Sequence, residues 1–451
     1  MDKKIITNLK SDYDMQQEAK AILNQNWREG YTIPSSRLYP FQWNWDSGLI
    51  ALGLACYHPE RAMDEVRFMF KGQWKNGMLP HINFHHTDSN YFPGPDVWAT
   101  KNLPFGCEEI LTSGITQPPV FGFVLQRMYE LLKGKLDGLD EFIQETFPKV
   151  MAFHRYLYTH RDPANEGLVY IHHNWESGTD NSPIWDDILG AIDVAGVRDV
   201  SALRRDIKNV DVAQRPTNEN YQRYIYLIDL FIKHQYNDAA IVKDCPFLVQ
   251  DVLFNSLLVK SNTGLIELAE KFNIDATEII AWNNKTIAAI NSKLWDEAAG
   301  IYFAYDLKNQ RSIKIKTSSA MVPLFAGICS VNQANKMVSH LTSTFIKNDN
   351  WFLCPSTAAD EDSFNPLKYW RGPIWINVDW MIYHGLSRYG HLDIATKVKY
   401  AILYLVEEHG SYEYFDPRPE NEALSNRGIG ADAFSWTAAL YLDLLNNPKL
   451  F

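Results

Sequence analysis

Apolar runs are short in this chain of 451 residues. None approaches the ~18 uninterrupted apolar residues of a membrane span. The first residues, Met1–Asn8, carry a basic pair but not the ~7–15 apolar residues of a secretory signal. Cysteine is sparse. Cys56, Cys107, Cys245, Cys329 and Cys354 are scattered, odd in number and never in a C-x-x-C pair. That pattern disfavours a disulfide framework or a zinc site and fits free thiols in a reducing compartment, so the expected location is the cytoplasm. Positive charge is in deficit, with 43 Lys and Arg against 54 Asp and Glu and a net charge of −11. A nucleic-acid binder needs the opposite balance to displace counterions. No G-x-G-x-x-G, P-loop or G-x-S-x-G motif occurs, which leaves nucleotide binding and a serine-hydrolase mechanism without support. Gly/Ser linkers, low-complexity tracts and like-charge runs are missing too, so no domain boundary announces itself. The expectation is one domain over 1–451, with loop insertions at about 72–116, 205–220, 351–368 and 409–433.

What the chain does have is aromatic side chains: 14 Trp, 23 Tyr and 23 Phe, or 13% of all residues. They fit either a large filled core or a pocket walled with flat apolar faces. Helical periodicity recurs along the sequence. After His58-Pro59, the residues Ala62, Val66, Met69 and Phe70 form one stripe, and Tyr221, Tyr224, Ile225, Ile228, Phe231 and Ile232 form another. Similar stripes fall at about 12–27, 117–133, 140–159, 246–260, 276–294, 332–344, 376–389, 392–408 and 434–446. Only 300–306 and 312–315 resemble strands, as the arms of a hairpin. This pattern predicts an all-α helical toroid or barrel with a small β-hairpin and long loops that cap the site. Loops of that length in a compact domain usually carry function.

Four loops concentrate chemistry. Glu176 and Asp180 stand four apart in Asn174-Trp175-Glu176-Ser177-Gly178-Thr179-Asp180. Such a turn either holds a carboxyl near a ligand, where burial keeps it protonated, or caps a helix through Asp180. Glu413 lies between Tyr412 and Tyr414, facing a polar cavity or simply solvent. Two acids on separate aromatic loops are the minimum for glycoside hydrolysis, one protonating the leaving oxygen and the other activating water or attacking carbon. In Tyr39–Gly48, Trp43 and Trp45 alternate with Asn44 and Asp46, which suits a sugar, although Asp46 could equally cap the following helix. Arg215, just before Pro216-Thr217 and a helical start, offers a fork for a carboxylate or a surface ion pair. His81, His85, His86, His172 and His173 form no H-E-x-x-H and have no ligand-spaced partners, so no metal site is expected.

The segments Tyr39–Gly48, Trp175–Pro183, Tyr369–Trp375 and Tyr412–Pro417 resemble the signature segments of glycoside hydrolase family 63, in order and along nearly the whole chain. The likeness is greatest to its short bacterial members acting on glucosylglycerate and mannosylglycerate. The resemblance implies an (α/α)6 barrel and an inverting mechanism without cofactor or metal, with Asp180 as general acid and Glu413 as general base. It places the sugar on Tyr39, Trp43, Trp45, Asp46, Trp175, Gly178, Trp370, Gly372, Trp375 and Trp436. It places glycerate on Gln117, Arg215, Tyr221 and Tyr369. A chain this acidic needs a local cation to hold an anionic substrate, so Arg215 favours a glycerate aglycone. The alternatives are an α-glucosidase for a neutral trehalose- or kojibiose-like disaccharide and, from another class, a non-catalytic sugar-binding protein. Relatives of this kind also suggest self-association. The loop 416–430, with Glu420, Glu422 and Arg427, has no role assigned by the sequence.

Overall fold

The computed structural model describes residues 12–88, 91–208, 210–346 and 353–446. The basic start at Met1–Asn8 lies outside these residues, as do a few positions within the loops 72–116, 205–220 and 351–368.

Among the described residues, twelve helices alternate between two concentric rings. The inner ring holds α2 (Asn44–Ala55), α4 (Phe121–Leu132), α6 (Val252–Phe272), α8 (Val322–Ala326), α10 (Ile376–Arg388) and α12 (Ser435–Asn446). The outer ring holds α1 (Asp12–Asn26), α3 (Pro59–Phe70), α5 (Leu139–His160), α7 (Thr277–Ala289), α9 (Val331–His340) and α11 (Leu392–His409). Each inner helix packs on the next and α12 returns to α2, which closes the ring. This is the (α/α)6 barrel. Closure depends on small side chains where the last inner helix meets the first: a Cβ on Gly53 would stand 2.4 Å from the Ala439 backbone.

Outer helices are amphipathic, as α3 shows, with Pro59 in its first turn and Ala62, Val66, Met69 and Phe70 buried. Inner helices are covered on both sides. All twelve residues of α2 are buried, so it has no polar face to give it a period. That is why the sequence shows only where it begins. The stripe expected at 246–260 is the first part of α6, which runs on to Phe272. Those expected to reach 294 and 344 end in wider turns, Ile290–Leu294 and Leu341–Phe345. The hairpin is present as Ala304–Asp306 against Arg311–Ile313, while Ile301–Tyr302 pairs instead with Trp295–Asp296. None of the five cysteines is in a disulfide. No described helix is long and apolar enough to cross a membrane.

Connections from an inner helix to the next outer one are short: 56–58, 133–138, 273–276, 327–330 and 389–391. Those leading back inward are long: 27–43, 71–120, 161–251, 290–321, 341–375 and 410–434. The long ones therefore gather at one end of the barrel, above the N-termini of the inner helices. Every loop singled out for chemistry belongs to this set.

Candidate active site

The long connections enclose a cavity of about 250 Å³, lined among others by Tyr39, Trp43, His81, Gln117, Trp175 and Asp180. Arg215, Asp206, Tyr91 and Tyr221 also line it, with Arg37, Arg205 and Lys208 adding positive charge. Asn218–Lys233, capped by the Thr217 hydroxyl on the Asn220 N–H, supplies Tyr221 from the side, where the sequence placed the helix start.

The two acids of the 172–187 loop take different roles. Glu176 is buried and fully engaged. Nη2 and Nη1 of Arg161 donate to it at 3.0 and 3.1 Å, and the backbone N–H groups of His172 and Thr116 donate at 2.8 and 3.2 Å. It holds the loop in place. Asp180 caps no helix and accepts from the Tyr369 hydroxyl at 3.3 Å while facing the cavity. Burial pushes its carboxyl up to about 7, helped by the nearby Glu413 and opposed by Arg215 and the Tyr369 hydroxyl. It can thus keep a proton near neutrality.

Glu413 is buried, not an exposed loop glutamate. The Tyr39 hydroxyl donates to its Oε1 at 2.6 Å and the Ala431 N–H to its Oε2 at 3.0 Å. Arg215 Nη1 lies 3.6 Å from Oε1. Burial raises its pKa, while Arg215, Tyr39 and the Ala431 N–H hold that rise in check. The Tyr39 and Tyr369 hydroxyls stand 3.3 Å apart. The two acids are therefore joined end to end through contacts of 3.3, 3.3 and 2.6 Å. Three contacts in series let the facing carboxyl oxygens stand no more than about 9 Å apart, a ceiling that admits the ~6.5–9.5 Å of an inverting pair and also the shorter span of a retaining one.

The loop 416–430 now has a function. Asp416 takes up Arg418 through both carboxylate oxygens and caps the Leu424 N–H, and Arg427 donates to the Asp416 carbonyl. Tyr414–Phe415 then pairs with Gly428–Ile429, returning Gly430 and Ala431 to Glu413. Gly430 has φ +75°, and a Cβ there would lie 2.4 Å from Glu413 Oε2. Gly430→Ala is accordingly expected to lower kcat by about tenfold or more while circular dichroism shows the helical fold retained. Unchanged kcat would show that Glu413 does not depend on this contact.

Arg215 is ion-paired, but in the cavity wall and buried rather than at the surface. Its Nε donates to Asp206 at 3.3 Å, its Nη2 donates to the Tyr39 hydroxyl at 3.2 Å, and its guanidinium lies 4.2 Å over the Tyr369 ring. Asp206 also accepts two bonds from Arg204, which in turn covers the Tyr221 ring. Burial would raise Asp206, but the two arginines outweigh it and hold its carboxyl below the usual range. Asp46 does not cap α2. It lies inside the first turn, and the leading N–H groups of the helix go to the His81 carbonyl and to Gln117 Oε1. Burial pushes Asp46 well above the ordinary carboxylate range, and Glu413 and Asp180 add to this.

The tryptophans divide. Trp43 and Trp175 line the cavity. Trp370 and Trp375 stack at 3.7 Å and join Trp45 and Trp436 in a buried cluster beside the carboxyls. Gly178, at φ +73°, lets its loop pass over Trp45, whose ring a Cβ would approach to 2.7 Å. Gly372 is packed against the Asn365 carbonyl. His81, Tyr91 and Asp206 were missed as site residues by sequence reasoning. The Tyr91-Phe92-Pro93 triplet in a long aromatic loop was a usable signal for Tyr91, but nothing local marks the other two. Among the described residues no group of three His, Cys, Asp or Glu is arranged to hold a metal ion.

Residues 39–437 match the mannosylglycerate hydrolase MGH1-like glycoside hydrolase domain. A mannosylglycerate hydrolase of Rubrobacter radiotolerans is 42% identical, covering 96% of this chain and 97% of its own. A glucosylglycerate hydrolase of Mycolicibacterium hassiacum is 30% identical over 95% of this chain and 96% of its own. The crystal structure of a GH63 mannosylglycerate hydrolase from Thermus thermophilus superposes with a TM-score of 0.89 at 40% identity, covering 95% of this chain and 99% of that one. That protein has also been solved with Tris and D-glycerate and with glucose.

Proposed function

This chain belongs to the MGH1-like glycoside hydrolases of family 63, and from that membership we propose that it hydrolyses a 2-O-α-glycosyl-glycerate, glucosyl or mannosyl, with inversion. The observation that carries the reading is a pair of unlike carboxyls, Asp180 in the cavity wall and Glu413 linked to it through the Tyr369 and Tyr39 hydroxyls. Asp180 keeps its proton up to about pH 7, whereas Glu413 sits against Arg215. Asp180 gives its proton to the glycosidic oxygen as the C1–O bond breaks. Glu413 takes a proton from a water that attacks C1 on the opposite face, which releases glycerate and the β-anomer of the sugar. Asp46 and the Trp45, Trp370, Trp375 and Trp436 cluster take the sugar. The buried Trp436 indole N–H has no acceptor among the described residues, a place for a sugar hydroxyl. Gln117, Arg215, Tyr221 and Tyr369 face the glycerate.

Incubation with glucosylglycerate, mannosylglycerate, trehalose and kojibiose, followed by NMR, tests this directly. Release of β-hexose from a glycerate substrate supports the reading. Release from trehalose or kojibiose alone supports the neutral-disaccharide reading, and release from none supports sugar binding without catalysis.

Removing Arg215 does not separate these readings, because it touches the base as well as the cavity. Its clearer signature is in pH. The cation favours the ionised form of both acids, so Arg215→Met is expected to shift both limbs of the bell-shaped kcat/KM profile upward, the alkaline limb from near pH 7. A profile that keeps its limbs in place would show that Arg215 does not tune the pair.

A further inference from the structure

One cavity residue has a geometry that the acids, the tryptophans and Arg215 do not account for. His81 is 4% exposed. Its backbone is locked at both ends, its N–H to the Ile115 carbonyl at 2.8 Å and its carbonyl to the Asn44 N–H at 3.0 Å. It therefore ties the start of α2 to the strand of chain that carries Gln117. The imidazole lies against Trp175, centroids 6.3 Å apart and 22° from parallel, with Trp98 at its edge.

The ring nitrogens are not equivalent. Nδ1 is 2.8 Å from the Ser113 hydroxyl, which already accepts the Ile82 N–H at 3.0 Å. The arrangement that satisfies every hydrogen has Ser113 donating to Nδ1, which leaves the proton on Nε2. Nε2 makes no hydrogen bond among the described residues, and the side chain lines the cavity. Burial pushes the imidazole pKa well below its usual value, with His173 adding to this, so the group is a neutral N–H donor throughout the working range.

The opposite wall needs such a donor. Arg215 spends Nε on Asp206 and Nη2 on Tyr39 and turns Nη1 toward Glu413, so only part of its fork is left for an anion. Gln117 accepts the Trp45 N–H on Oε1, which turns its NH₂ group to the cavity. His81 Nε2 and Gln117 Nε2 are two fixed neutral donors in a space whose wall also carries Arg37, Arg205, Lys208 and Arg215.

Resting on the glycerate reading above, we propose that His81 is a specificity residue that donates from Nε2 to an oxygen of the glycerate aglycone. His81→Phe keeps the stacked ring and removes the donor, and His81→Asn keeps a donor and removes the ring. The expected result for His81→Phe is D-glycerate binding, by titration calorimetry on the full chain, weakened about tenfold or more. KM for the glycosyl-glycerate should rise in parallel, while kcat/KM for a neutral p-nitrophenyl α-glycoside changes less than about twofold. His81→Asn should recover part of the glycerate affinity. Unchanged glycerate affinity in His81→Phe, or an equal loss on both substrates, overturns the proposal while leaving the glycerate reading intact. If His81→Phe fails to fold, glycerate affinity in His81→Asn no better than in His81→Ala overturns it. Wild-type protein that neither binds D-glycerate nor cleaves its glycosides overturns both.

Discussion

Replacing Glu413 with Gln is expected to lower kcat on a glycosyl-glycerate by about 10³-fold or more, the usual contribution of a general base. The fold should persist. The backbone bond between the Glu413 N–H and the Ala431 carbonyl, 2.8 Å, does not involve the side chain, and neither does the pairing of Tyr414–Phe415 with Gly428–Ile429. An amide oxygen can still accept from either Tyr39 or Ala431, but the amide cannot take a proton from water. Arg215 Nη1, now facing a neutral group at the site of a 3.6 Å ion pair, gains nothing from it. Loss of the carboxylate should therefore act on turnover far more than on KM. Initial rates and a thermal melt measured together decide the matter. Turnover above a tenth of wild type in a folded variant would remove Glu413 from the base role.

How far the sequence carried is clearest residue by residue. The outer helices were legible because each shows one apolar face, as α3 does. The inner helix α2 was not, because complete burial erases the period that marks a surface helix. Between Glu176 and Asp180, four residues apart on one turn, no local feature assigns the roles. The decision comes from Arg161, which claims Glu176 and leaves Asp180 to the cavity. Glu413 between two tyrosines was readable as unusual, whereas its contact with Tyr39 comes from a distant loop and that with Ala431 from the return of its own loop. Arg215 looked like a choice between ion pair and anion seat. The ion pair is there but buried: Asp206 accepts from its Nε and the guanidinium lies over the Tyr369 ring. His81 was weighed only as a metal ligand, since its meaning depends on Ser113 and Trp175, neither a neighbour in sequence.

Asp180→Asn should remove activity on a glycosyl-glycerate to a similar extent as loss of the base, but with a different signature. A substrate whose leaving group departs without protonation, such as a dinitrophenyl α-glycoside, should retain most of its rate, since only the proton donor is gone and Glu413 still activates water. The alkaline limb of the kcat/KM profile, set near 7 by the protonated Asp180, should vanish with that substrate. Stability gives a reading independent of chemistry. In the folded protein Asp180 holds its proton up to about pH 7, against ~3.9 for an unfolded aspartate. The folded state thus binds this proton more tightly. The stability it contributes is complete below about pH 4 and is lost as pH rises through 7. Asn carries no such dependence. The Tm of Asp180→Asn minus that of wild type should therefore grow between pH 4 and 7 and level off above. A difference that stays flat across that range would mean Asp180 is already ionised at neutral pH and has no proton to give to the leaving oxygen.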